Sequence, residues 1–569
     1  MSRFLKVKEN KKERGITLIA LITTIIVLLI LAGITIGAIT GSNGIIGQAQ
    51  SAKEETEISQ EKEIIDISTV EAMGKNNRGN LEEEEFQNSI DKHTNGKATV
   101  SDVGEEFEVF FEESNRYYTV DKDGNILGQI NAVGDKYPGD ITKKEDGTVL
   151  DGSNDNPYEI NCIEDLVAFS NMSNTETFEN KTIILQKNLN FKSKSSYANW
   201  ETKEFGDVNK DGVTDELMTE LSTGNGFTPI IKFRGVFDGQ ENSLKNLYQT
   251  DYCSNINSLG LFGTISTNAT IKNLYLSGNI EVSKSGSNQE VGGIVGQIMA
   301  QSSNILLENI HFSGNITDTA GTSFRCGGII GRILEAPQNM VVNKCSNTAK
   351  IITSYNGAGI IGSIEASSSG ENINIINCFN VGDITMLESN ASYASAGGII
   401  GSVNGVSENV NVLNCYNTGH IENPNTKVYC FSGGIVGSST NCGEYLTIAN
   451  CYNTGKTTAK YLSGGKLGAG GILGGFWYNT YNSDIRNCFY YGENSDRSVG
   501  LLNEEYAQKL TYNQLISKEN IEDEEGNSKI LIEFLNEYKS NATTEFDTSM
   551  WCDWIQNEQG YPALDISKD

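Results

Sequence analysis

Proline is nearly absent from this chain, with 6 in 569 residues, and histidine is rarer still, with 3. The shortage of proline excludes a collagen-like fold despite 60 glycines, because a triple helix needs frequent proline beside its periodic glycine. The shortage of histidine leaves no good candidate for a His-based catalytic triad. His311 and His420 fill slots that other residue types occupy in equivalent repeats, and His93 stands alone. No two of the 11 cysteines are spaced C-x-x-C, which argues against a zinc site. Positive charge is also deficient. A formal charge of −30 repels phosphate and argues against nucleic acid as a partner. Between residues 256 and 495 the deficit nearly vanishes, with 11 Lys+Arg against 14 Asp+Glu, so partners of that segment are not selected by charge.

Charge is missing altogether between Gly15 and Lys53. Residues 16–40 would span roughly 37 Å as a helix, more than the ~30 Å hydrocarbon thickness of a bilayer. Arg3, Lys6, Lys8, Lys11, Lys12 and Arg14 precede the run against only Glu9 and Glu13. The positive-inside rule therefore leaves the N-terminus in the cytoplasm and the bulk of the chain outside, as a single-pass protein of the cell membrane. The arrangement KKERG/ITLIA resembles the prepilin leader of type IV pilins and pseudopilins. The resemblance implies a prepilin peptidase that cuts after Gly15 and leaves Ile16 as the new N-terminus, with the apolar helix kept in the membrane. It also implies other pilin subunits as partners. Ile45, Ala49, Ala52, Ile58, Ile65 and Met73 continue in a helical rhythm with charges between them, as a pilin stem does. The resemblance departs at Ala20, where the family usually carries Glu. That carboxylate is thought to pair with a neighbouring subunit's terminal amine, so Ala20 fits a tip subunit, or an anchor that never polymerises, better than a shaft-forming pilin.

Residues 97–130 alternate apolar and polar, with a hairpin turn at Asp123-Gly124, and read as a small β-domain where a pilin headgroup would sit. From about 256 the chain repeats itself. Gly292-Gly-Ile-Val-Gly recurs at 327, 358, 397, 433 and 470, with an irregular first copy at 259, and the starts are 31 to 39 residues apart. Half a repeat later come blocks such as IKNLYLSGNI at 271 and LNCYNTGHI at 413. Short apolar strands separated by Gly and Asn turns predict a β-solenoid. The Gly-Gly-Ile-x-Gly core resembles the GLUG motif of secreted and surface bacterial proteins, which implies a right-handed parallel β-helix over roughly 150–569. The expected fold is thus mainly β, with an N-terminal pilin-like transmembrane α-helix and small β-domain followed by the β-helix. Its segments are a leader over 1–15, a stem helix over 16–75, the small β-domain and linker over 76–145, entry coils over 146–255, repeats over 256–495 and a C-terminal cap over 496–569.

Aligning the repeats sorts individual residues. Leu274, Ile310, Cys345, Cys378, Cys415, Cys451 and Cys488 share one slot, so cysteine there replaces a buried aliphatic residue. Coils stack about 4.8 Å apart, beyond the ~3.8 Å between Cβ atoms that a disulfide favours, so a column of reduced thiols is expected. Asn273, Asn309, Asn377, Asn414, Asn450 and Asn487 precede the slot, and Asn347, Asn380, Asn417 and Asn453 follow two residues after it. Both sets predict asparagine ladders, because Asn tolerates a left-handed bend and can pass hydrogen bonds to the next coil. Between them lie Tyr275, His311, Ser346, Phe379, Tyr416, Tyr452 and Phe489. Neighbours of an inward slot point outward, which predicts an external aromatic stripe. Its rings either grip a surface glycan or protein ligand or stack on one another to stabilise the coil.

The acids of the repeats fall in different slots, with no pair suited to glycoside hydrolysis, so no enzyme activity is expected. Asp207, Asn209, Asp211, Val213 and Asp215 occupy positions one, three, five, seven and nine of DVNKDGVTD, with Gly212 at six, and match a short calcium loop. A structural Ca2+ there would brace an insertion in an entry coil. The functional expectation is a membrane-anchored, pilin-like surface protein displaying a β-helical adhesion domain. The alternatives are a minor pilin or pseudopilin acting in pilus or secretion-apparatus assembly, and a β-helix enzyme acting on polysaccharide.

Overall fold

The computed structural model describes residues 45–75, 81–130 and 139–566, less short internal segments, chiefly 192–199, 205–215, 221–225, 284–289, 319–323, 366–371, 389–392, 461–466, 478–482 and 501–505. The chain divides into two compact units, 1–132 and 133–569.

In the first unit a helix over Ile45–Lys75 is followed by a shorter one over Glu83–Thr94 and a four-stranded antiparallel sheet in sequence order. The strands are Ala98–Asp102, Glu106–Phe111, Arg116–Asp121 and Ile126–Ile130. The alternation of Phe107, Val109 and Phe111 sends one face of the sheet onto Ile65, Phe86 and Ile90 of the helices, and Phe86 meets Phe107 edge-on at 5.7 Å. Gly124, at φ +83°, makes the expected hairpin turn. The shorter helix was not anticipated, although its signals are present: Glu83, Glu84 and Glu85 in the first turn, Phe86 and Ile90 four apart, and Lys92 and His93 in the last turn. Among the described residues no helix is long and apolar enough to cross a membrane. The apolar run 16–40, and with it Gly15 and Ile16, lies outside the described residues.

The second unit is a parallel β-solenoid. One coil illustrates the repeat, with strands Asn356–Ala358, Ile361–Glu365, Asn372–Ile376, Phe379–Asn380 and Ile384–Met386. Corresponding strands of successive coils pair in parallel, building two seven-stranded sheets on either side of the Gly-Gly corner and a longer strand network opposite. The first position of the corner admits Ala358 in one coil, but the second has no room for a side chain: a Cβ on Gly328 would lie 2.2 Å from the Gly359 carbonyl oxygen and 2.4 Å from Asn347 Oδ1. The isoleucine that follows turns inward, so Ile294, Ile329, Ile360, Ile399, Ile435 and Ile472 form a fully buried stack. Each contributes about 1.5–3 kcal/mol by burial. The second corner is the asparagine slot, where φ runs from +46° at Asn487 to +57° at Asn414 and Asn450, and Lys344 takes the same conformation at +53°.

Helix Ile163–Met172 places Leu166 and Phe169 in the core beside Phe178, Phe233, Phe237 and Phe262. Ile141, inside the stretch read as linker, is fully buried in this core. At the other end Gln508–Leu510 adds a rung onto Phe489–Tyr491. The chain then forms the helix Leu531–Asn541 and runs on to Leu564, contacting three successive coils through Asn377, Asn414 and Asn450. The C-terminal segment therefore covers a flank of the solenoid.

Candidate functional site

The inward slot holds the expected thiols. Cys345, Cys378, Cys415, Cys451 and Cys488 are buried and free, each with its Sγ against the carbonyl two residues earlier, as at 3.1 Å from Cys415 to Leu413. Burial pushes the Cys345, Cys415 and Cys488 thiols up, so these stay protonated and inert. The remaining six cysteines form no disulfide among the described residues, and Cys430 and Cys442 donate to the backbone carbonyls of Asn425 and Val403. Both asparagine ladders form. On the outer one, Asn487 donates to Asn450, Asn450 to Asn414, Asn414 to Asn377 and Asn377 to Asn343, at 2.7–2.8 Å. On the inner one, Asn347 donates to Asn380, Asn380 to Asn417 and Asn417 to Asn453.

Between the ladders runs one column in continuous register: Ser243, Tyr275, His311, Ser346, Phe379, Tyr416, Tyr452 and Phe489. Its rings stack, Phe379 on Tyr416 at 4.9 Å and Tyr416 on Tyr452 at 5.2 Å, nearly parallel. The expectation of an external stripe is corrected here. The column does face out of the coil, but Phe379, Tyr416, Tyr452 and Phe489 lie under the C-terminal segment, against Leu531, Leu535, Trp554 and Leu564. Tyr452 is fully buried and its hydroxyl donates to the Pro562 carbonyl at 2.6 Å. Trp554 leans over Tyr416 and Tyr452, and its Nε1 donates to Asn414 Oδ1 at 2.5 Å. Tyr452 and Phe489 are buried there, whereas Phe379 and Tyr416 are half-buried. Pairwise repeat alignment could not reveal this, because the covering segment lies outside the repeats.

Tyr275 is different. It is 43% exposed and stacks on His311 at 4.7 Å. The two rings floor a depression of about 330 Å³ rimmed by Ser243, Lys245, Ser277, Ser313, Ser346 and Thr348. His311 Nε2 lies 3.1 Å from Asn309 Oδ1, an acceptor, and its Nδ1 lies 2.7 Å from Ser346 Oγ. The proton therefore sits on Nε2, and Nδ1 accepts from the serine. Burial holds the imidazole pKa below its usual value, so the ring is neutral and fixed. A rigid aromatic floor with a hydroxyl rim suits the apolar face and polar edge of a sugar ring.

A second group was missed in the sequence. Arg325 contacts Glu365 at 2.6 Å and Glu290 at 3.5 Å, and Arg332 contacts Glu290 at 2.9 Å and also Glu365. Tyr355 lies under the Arg325 guanidinium at 5.4 Å. Burial raises the Glu290 pKa against the pull of both arginines. Glu290 and Arg325 are neighbours two residues before successive Gly-Gly corners, a signal the repeat alignment contained. The two carboxylates are each tied to arginine, which suits a structural cross-link better than acid–base chemistry.

Of the other expected site residues, Asp207, Asn209, Asp211, Val213 and Asp215 lie outside the described residues; the strands on either side, Trp200–Glu204 and Glu216–Glu220, pair antiparallel. Among the described residues no cluster of metal-ligating side chains occurs. His93 faces Glu71 at 3.3 Å, and His420 Nδ1 accepts from the Lys456 backbone at 3.0 Å. No known family model matches the chain. A stretch of it is similar to Halomucin of Haloquadratum walsbyi, 28% identical over 201 residues, which is 33% of this chain and 2% of that protein. The chain thus spans about 2% of the length of that curated relative.

Proposed function

We propose that this chain is a membrane-anchored, pilin-like surface protein whose β-solenoid is a binding module for glycans outside the cell, with Tyr275 and His311 as the contact platform. The observation that carries the reading is the division of one aromatic column. From Phe379 onward it is closed by the chain's own C-terminal segment, and at Tyr275 it is left open above a fixed imidazole. What supports this reading over stacking alone is the setting of that ring, 43% exposed at the floor of a hydroxyl-rimmed depression. Binding of the full-length chain to a glycan array, lost on Tyr275→Ala and kept on Lys456→Ala, tests it; an array without a single bound glycan refutes it.

Anchoring rests on the charge-free run after Gly15, and mass spectrometry of the mature N-terminus decides between Ile16 and an uncut chain. Ala20 favours, as a second reading, a tip or minor pilin subunit over a shaft subunit. An Ala20→Glu chain that enters pili where the wild type does not would support that assignment. The calcium reading rests on the spacing of Asp207, Asn209, Asp211, Val213 and Asp215, and a thermal midpoint unchanged by chelator would remove it. We read the module as non-catalytic, and cleavage of a polysaccharide by the purified chain would overturn that.

A further inference from the structure

On the other side of the outer asparagine corner the solenoid carries a second groove, of about 730 Å³, that owes nothing to the aromatic column. Its floor is a row in exact register across four coils: Asn374, Asn411, Thr447 and Asp484. Its far wall is the edge of the C-terminal segment, with Glu545 and Asp547. The next row of the same sheet, Ile376, Leu413 and Ala449, is covered by Trp551 and Ala542, so the groove is bounded by packed chain.

The floor is pre-ordered. Asn411 donates to Asn374 Oδ1 at 3.0 Å, and Asn374 donates to Asn372 Oδ1 at 3.3 Å. That leaves the Asn411 carbonyl oxygen, one amide hydrogen of each residue and the Thr447 hydroxyl facing the groove. Polar groups thus recur at about 4.8 Å, the coil spacing, over about 14 Å. A repeat of that length is close to one pyranose ring, and alternate donors and acceptors match a polymer carrying hydroxyls at each unit. Val341 continues the row at one end, and Ile376, Leu413, Phe546 and Met550 also line the groove, but the row from Asn374 to Asp484 is polar throughout and is matched by hydroxyls rather than by the apolar anchor of a protein partner. The charges choose between glycans. Asp484, Glu545 and Asp547 face one cation, Arg486, which is engaged by Asp484 at 2.6 Å and by Glu545. The rim is therefore net negative and disfavours acidic chains.

We propose that this groove is a second glycan site, taking an extended, uncharged oligosaccharide laid along the solenoid axis across the Asn374–Asp484 row. Calorimetric titration of the full-length chain in lipid nanodiscs with β-1,4-linked glucose and N-acetylglucosamine oligomers tests it, with oligogalacturonate as the acidic counterpart. Tetrasaccharides are expected to bind at least about tenfold more tightly than disaccharides. The pair Asn411→Ala and Thr447→Ala should weaken binding at least about tenfold, the loss of two hydrogen bonds, while Tyr275→Ala changes it less than about twofold. Thr447→Val, which keeps a β-branched strand residue, guards against a folding artefact and should weaken binding in the same direction. The proposal is overturned if no neutral oligomer binds, if the floor variants leave affinity unchanged, or if oligogalacturonate binds as tightly. Loss of binding on Tyr275→Ala alone overturns this groove and leaves the aromatic platform standing; loss on the floor variants alone supports the groove, and the platform then stands or falls on the array.

Discussion

Replacing Trp554 by alanine should detach the C-terminal segment while leaving the solenoid folded. Trp554 is 2% exposed and sits 5.5 Å from the Tyr452 ring and 6.0 Å from that of Tyr416. A buried Trp→Ala change costs about 3–5 kcal/mol, which already includes the lost ring contacts and the void left behind. No further penalty for an orphaned acceptor is due, because Asn414 Oδ1 also accepts from Asn450 at 2.8 Å. The opening free energy of the segment should thus fall by about 4 kcal/mol, and amide exchange within 531–564 should accelerate by about a thousandfold. Hydrogen-exchange mass spectrometry reads this directly. Strands such as Ile400–Asn404 and Val436–Thr440 pair with coils on both sides and should keep their protection. Trp554→Phe, which keeps a ring but loses the bond to Asn414, should cost only about 1–2 kcal/mol. Equal acceleration across the core strands, or none within 531–564, would refute the idea of a separable flank cover.

Three further outcomes follow from the geometry. Tyr452→Ala should lower stability by about 3–5 kcal/mol in denaturant unfolding, whereas Tyr275→Ala, at the open end of the same column, should stay within about 0.5 kcal/mol. Arg332→Ala should cost about 3–5 kcal/mol at neutral pH by leaving Glu290 buried with one distant partner. Because burial raises the Glu290 pKa above the ordinary 4.5, the folded state takes up this proton first; the penalty should shrink as acid protonates the carboxyl and grow again as pH rises through the folded pKa. In the first unit, bonds from Lys92 and Ser89 hold the Glu71 pKa down to about 2 from 4.5. Stability from this contact is present above 4.5 and lost as pH falls toward about 2, so a carboxyl NMR titration of Glu71 should show its midpoint near the lower value; a midpoint near 4.5 would contradict the contact.

The recurring Gly-Gly-Ile motif, with its half-repeat partner, made the coil legible in one dimension, because each coil satisfies its neighbours by the same contacts and so repeats the same residue types. Cys415 could be read as buried and Asn414 as a ladder residue from their columns alone. Two things were not legible. The Glu290–Arg325–Arg332–Glu365 group joins three coils; the repeat register puts Glu290 beside Arg325, but the reach of Arg332 and Glu365 to them is not a property of any column. The fate of Tyr416 and Tyr452 depends on residues about 100 to 140 positions later that share no period with them.

Local periodicity thus determines which side of a strand a residue faces, since alternation and the left-handed asparagine bend are set within a few residues. It placed Tyr275 and Tyr452 alike outside the coil. Whether an outward ring meets solvent or other protein is a long-range matter, decided by where the segment 531–564 comes to rest. That packing covers Tyr452 and stops short of Tyr275, so two residues equivalent by sequence differ in what they can bind.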